Sequence, residues 1–124
     1  MKARIIVLLV VTLLCSQALL AQEPIALFDK TAVYKEAIHL YDHEKYSASM
    51  KKFEEYIGLE LDPQNAMRIN AEYYKGICAL YLLQPDAEYQ LIRFVREHPD
   101  SPWKHHVYFE LATFNYQRKS YKKA

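Results

Sequence analysis

The sequence predicts an all-α fold: a right-handed solenoid of helical hairpins, about two and a half repeats long, behind an N-terminal export signal. Three observations predict it. Ala37, Tyr41, Tyr46 and Ser49 are echoed at identical spacings by Ala112, Tyr116, Tyr121 and Ala124, 75 residues further on. That offset is about two units of a helical repeat of roughly 34 residues. Apolar residues recur at intervals of three and four along most of the chain, the signature of one helix face. Only 2 Gly and 5 Pro occur in 124 residues, too few for a turn-rich β architecture.

The first 21 residues form a separate unit. Lys2 and Arg4 precede an apolar run from Ile5 to Leu14, interrupted only by Thr12, and small and polar residues follow through Ala18 and Ala21. Basic, then apolar, then small is the order of a secretory signal peptide, here with cleavage expected after Ala21. The stretch Ile5 to Leu20 is 16 residues, short against the roughly 20 that a membrane helix needs. Cys15 lies inside this signal, and the Leu14 before it argues against lipid attachment. Cys78 is then the one cysteine of the mature part, so no internal disulfide is expected. A lone thiol in an oxidising compartment is best tolerated buried. The mature part has 14 basic and 15 acidic residues, and the whole chain is +1, which gives no electrostatic footprint for nucleic acid.

After a short lead over 22–29, the repeats are expected at about 30–70, 71–104 and, incomplete, 105–124. In the first, Val33, Ala37, Leu40 and Tyr41 mark one helix face, His43-Glu44-Lys45 a polar break, and Tyr46, Ser49, Met50, Phe53, Tyr56 and Ile57 the returning helix. Asp62-Pro63 closes it. In the second, Tyr74, Ile77, Cys78 and Tyr81 share a face, Gln84-Pro85-Asp86 is the turn, and Tyr89, Ile92 and Phe94 lie on the next helix, which stops near His98-Pro99. Tyr74 to Cys78 matches Tyr108 to Ala112 at an offset of 34, whereas Ala37, Tyr46 and Phe53 match Cys78, Ala87 and Phe94 at 41. The seven extra residues are two helical turns, expected between Ile57 and Asn70. Ser101 and Pro102 suit the start of the third unit's first helix, a cap followed by a first-turn proline. That helix is expected to end near Arg118, with a second helix opening at Ser120 and cut off at Ala124. Half a hairpin cannot bury its own apolar face. The expectation is therefore a fragment or the start of a longer array, marginally stable and prone to self-association through an open C-terminal face.

These residues resemble the tetratricopeptide repeat (TPR). The small residues are Ala37, Cys78 and Ala112, then Ser49 and Ala124; the turn aromatics are Tyr46 and Tyr121; the large apolar residues are Phe53 and Phe94, with Pro102 closing the second unit. Ala87 stands where a turn aromatic is usual, and Gln90 where a small residue is usual. With the signal peptide, the chain is similar to periplasmic TPR proteins of Gram-negative bacteria, including outer-membrane assembly subunits. The resemblance implies a periplasmic location, with or without attachment to the outer membrane. It also implies ligand-binding residues along the first helix of each unit: Tyr34, Tyr41 and Asp42; Glu72, Lys75 and Leu82; and His106, Phe109 and Tyr116. That set lacks the repeated Lys and Asn pattern of TPR clamps for a C-terminal carboxylate.

Candidate chemistry is sparse. His39 and His43 have the spacing of two ligands for one metal ion, but Leu40 follows His39 where a protease motif has glutamate, and a solvated helix face is the favoured reading. The adjacent His105 and His106 point about 100° apart. Glu54, Glu55, Glu60 and Asp62 read as charged helix surface, and the tyrosines mostly as core. Cys78 sits where the repeat wants a small buried side chain, and the two glycines make no phosphate loop. No catalytic residue, metal site or cofactor is expected. The function expected is a non-catalytic scaffold of the cell envelope that binds a protein or peptide on its concave helical face. A membrane would be met only through the signal peptide or an associated complex. The alternative is the N-terminal part of a larger envelope enzyme or assembly factor.

Overall fold

The structure, a computed structural model, describes residues 1–6 and 29–123. The predicted cleavage point after Ala21, Cys15, most of the apolar run and Ala124 lie outside the described residues. Residues 2–6 are helical, and five further helices make the body of the protein; among the described residues there is no strand. No described helix is long and apolar enough to cross a membrane.

Helix α1 (Lys30–Asp42) starts where the Asp29 carboxylate accepts a hydrogen bond from the Thr31 amide at 3.0 Å. It buries Val33 and Ala37, spaced by four. The predicted break at 43–45 is a tight helix end: Glu44 takes a left-handed φ of 58°, and the Lys45 amide donates to the Leu40 carbonyl at 2.9 Å. Helix α2 (Tyr46–Leu59) returns antiparallel to α1. Ser49 meets Ala37, both fully buried, and the Ser49 hydroxyl donates to the Ala37 carbonyl at 2.8 Å. At the far end Lys30 pairs with the buried Glu60.

Helix α3 (Ala66–Tyr81) is capped by Asn65, whose side-chain oxygen accepts from the amides of Met67 and Arg68 at 2.9 and 3.1 Å. Arg68 reaches back to the carbonyls of Ile57 and Glu60, satisfying the open end of α2. The turn to α4 (Ala87–Glu97) repeats the first: Leu83 has φ 56°, and the Gln84 amide donates to Ala79 at 3.0 Å. A non-glycine residue in this region costs about 1–2 kcal/mol, a strain both turns carry. Helix α5 (Lys104–Lys123) begins two residues after the expected Pro102, with the Trp103 amide donating to the Ser101 hydroxyl at 3.2 Å.

Each helix packs on the next, and α3 touches all four others. Contacts of Tyr41 with Tyr74 and of Tyr73 with His106 set α1, α3 and α5 side by side in one direction, with α2 and α4 running back between them. One core joins Val33, Ala37, Phe53, Tyr56 and Ala71 across α1–α3; a second joins Tyr73, Ile77, Leu80, Leu91, Phe94, Val107 and Leu111 across α3–α5. Each buried large side chain here contributes about 1.5–3 kcal/mol. Aromatic stacking links the two cores, with Phe53 on Tyr74 at 5.4 Å and Tyr73 on Trp103 at 4.4 Å.

The extra length expected between Ile57 and Asn70 is helical. α2 runs six residues past Phe53 and α4 only three past Phe94, while α3 begins eight before Tyr74 and α5 four before Tyr108. Both intervening loops, 60–65 and 98–103, are six residues long.

Three expectations are corrected. The third unit has no turn at Ser120: α5 continues through it, and the Ser120 hydroxyl donates to the Tyr116 carbonyl at 3.0 Å, as serine does inside a helix. No glycine or proline interrupts 103–123, and Gln, Arg and Lys favour helix. Ala112 is exposed rather than packed like Ala37 and Cys78. Val107 and Leu111 take the buried stripe instead, so letters match at 34 but faces match at 33. Finally, Cys78 is not the counterpart of Ala37. Gly76 lies seven residues before Leu83, as Ala37 lies seven before Glu44, and a Cβ on Gly76 would sit 2.6 Å from Leu91 Cδ2. Cys78 faces the Ser49 hydroxyl of α2 instead.

Candidate functional site

The shift of two residues between Cys78 and Gly76 matters for the site, because two residues turn a helix by about 200°. Glu72 and Lys75, expected on the ligand-binding side of α3, face the opposite way. They line a groove with Ile57 of α2 and Tyr89, Arg93 and Glu97 of α4. Lys75 pairs with Glu54 at 3.5 Å, and Glu72 with Arg68 at 3.3 Å. The side of α3 between α1 and α5 instead carries Asn70, Tyr74 and Tyr81. The Trp103 indole donates to the Asn70 side chain at 2.7 Å, and the Tyr81 hydroxyl donates to Glu110 at 3.2 Å. Counting from the two turns, an offset of 39, moves the expected Glu72 to Asn70.

The remaining predicted residues divide in two. Tyr34 and Tyr41 are half-buried core: Tyr34 packs edge-on against Phe53 and Tyr56, and Tyr41 against Tyr46 and Tyr74. Asp42 is exposed at the end of α1, and Leu82 is exposed where α3 stops. His106, Phe109 and Tyr116 do come together, along α5. The rings of His106 and Phe109 are 6.5 Å apart, and Tyr116 lies two turns beyond Phe109. Tyr108 and Ala112 extend the same exposed side. Relative exposures are 52% for Tyr108, 65% for Phe109 and 74% for Tyr116, high for aromatic side chains in neighbouring turns of one helix. Tyr108 and Tyr116, expected mostly as core, therefore belong to the surface, as do Tyr89 and Ile92 of α4.

On its other flank α5 borders an apolar cleft of about 410 Å³, floored by Leu80, Ala87 and Phe114 and overhung by Leu83. Arg118 and Glu88 approach to 3.6 Å at its rim. The cleft holds no titratable pair in a catalytic arrangement.

Burial governs the ionisable groups around α3. It pushes the Cys78 thiol up to about 11 and raises Tyr41 and Tyr73; burial and the Glu110 carboxylate push Tyr81 up to about 12. These phenols stay protonated donors and the thiol stays un-ionised at neutral pH, whereas a nucleophilic cysteine needs a lowered value. The His39 and His43 rings lie 4.3 Å apart, but His43 Nδ1 donates to the His39 carbonyl at 2.8 Å. The one group of three metal-ligating side chains among the described residues is Glu72, Glu97 and His98.

No family model, curated protein or solved structure matches the chain.

Proposed function

We propose that this protein is a non-catalytic scaffold, a TPR-like solenoid of the cell envelope that holds a protein partner against α5. The observation that carries the reading is the exposed aromatic side of α5, formed by Tyr108, Phe109 and Tyr116 around Ala112. Aromatic side chains supply much of the energy of protein interfaces, and a small residue between them lets a partner approach the helix closely. Tyr108 and Tyr116 also bring hydroxyls for directional bonds. Val107 and Leu111 fasten α5 to the core from behind this side. Burial raises the Cys78 thiol, which disfavours a nucleophilic role for it. The basic, apolar, small order of residues 1–21 supports export, and the repeated turns at Glu44 and Leu83 support the repeat reading.

Photo-crosslinking in intact cells tests the proposal. A benzophenone amino acid in place of Tyr116 is expected to trap one discrete protein band. The same probe in place of Lys51, exposed on α2, is expected to trap none. Equal, diffuse labelling at both positions would sink the reading.

A further inference from the structure

We infer that Glu72, Glu97 and His98 form a divalent-cation site suited to Zn²⁺, on the opposite side of α3 from Asn70, Tyr74 and Tyr81. One carboxylate from α3 and a carboxylate-imidazole pair at the end of α4 place three ligand atoms within 4.8 Å of one another. His98 Nε2 stands 2.7 Å from Glu72 Oε2, and the His98 side chain is only 11% exposed. Zinc bonds of about 2.0–2.1 Å at tetrahedral angles put ligand atoms roughly 3.3 Å apart, a spacing that small side-chain rotations reach from this geometry.

The surroundings are arranged as at metal sites. Each carboxylate has its other oxygen held by an arginine: Arg68 Nε on Glu72 Oε1 at 3.3 Å, and Arg93 Nε on Glu97 Oε1 at 2.7 Å. Such outer hydrogen bonds orient the free oxygens and are a regular feature of bound carboxylates. Three protein ligands leave a fourth position for water, and the groove over Glu72 and Glu97, about 410 Å³, has room for it. One imidazole with two carboxylates suits zinc better than Mg²⁺ or Ca²⁺, which prefer oxygen alone. Bound zinc would clamp the end of α4 onto α3.

Calorimetric titration of Zn²⁺ into the full chain tests this. One equivalent is expected to bind, and to raise the melting temperature. Glu97→Gln, at an exposed helix end, should fold as the parent does and bind at least about tenfold more weakly. His98→Ala should abolish the zinc-dependent rise in melting temperature, and His39→Ala should leave it unchanged. The inference is overturned if the parent takes up no zinc, if Glu97→Gln binds as tightly as the parent, or if His39→Ala is the variant that loses the metal.

Discussion

Gly76 decides how closely the second hairpin closes. Its helix lies against Leu91, fully buried, with no room for a methyl group at the glycine. Alanine is intrinsically better than glycine in a helix by about 1 kcal/mol. Overpacking of a filled core costs about 1–3 kcal/mol and should win, so Gly76→Ala is expected to destabilise the parent by roughly 1 kcal/mol. With Leu91→Ala already present, the space exists and the same change should become stabilising. Chemical denaturation of the four proteins checks this; an equal effect of Gly76→Ala in both backgrounds would contradict the close approach. Ala37 plays the same part in the first hairpin, where Ser49 seals the approach with a hydrogen bond. Cys78, identical in spacing to the eye, packs instead on the preceding helix.

At the level of elements, the ends of α1 and α2 are tied by one ion pair. The Lys30 ammonium and the Asp62 amide hold the Glu60 carboxyl below the usual glutamate range, and Glu60 in turn raises Lys30. A depressed acid stabilises the fold above its unfolded value, about 4.3, and that contribution disappears as the pH falls through the lower folded value. A raised lysine stabilises below its own unfolded value and loses that contribution as the pH rises past its folded one. The pair is therefore fully effective at neutral pH. The melting temperature of the parent should fall more steeply than that of Glu60→Gln between pH 5 and pH 2; parallel curves would show that the pair is idle. The boundaries of these elements were largely legible in the sequence. The prolines at 63, 85, 99 and 102 disfavour helix and mark three of the breaks, and the polar run His43-Glu44-Lys45 marks the other, where the chain turns through Glu44 in the left-handed region. The faces were less legible. Tyr108-Phe109-Glu110-Leu111-Ala112 offers two apolar stripes one residue apart, and only packing against Leu91 and Phe94 selects Val107 and Leu111. The turn expected at Ser120 rested on likeness to Tyr46 and Ser49, with no breaker in the chain to enforce it. Of the nine residues expected to bind, those on α5 share one exposed side because His106, Phe109 and Tyr116 are spaced by three and seven on an unbroken helix. Those on α3 did not, because Cys78 stood in for Gly76.

For the whole molecule, the arrangement separates two sides. α1, α3 and α5, with Trp103 of the preceding loop, present tyrosines and Asn70 in a band that ends at the open aromatic side of α5. α2 and α4 frame a charged groove on the other side, with the Glu72, Glu97 and His98 cluster at its edge. The proposed partner side and the inferred ion site fall on these two opposite sides. The protein-binding side is the central claim, and it makes a quantitative demand. Phe109 and Tyr116 lie on the surface and hold nothing inside, so Phe109→Ala with Tyr116→Ala should leave stability within about 0.5 kcal/mol of the parent. As interface anchors they should each contribute about 2 kcal/mol, roughly thirtyfold in affinity. The most direct measurement is the dissociation constant of the partner trapped at position 116 for the parent and for this double variant. The account predicts a loss of at least a hundredfold with the melting temperature unchanged; equal affinity in a folded double variant would contradict it.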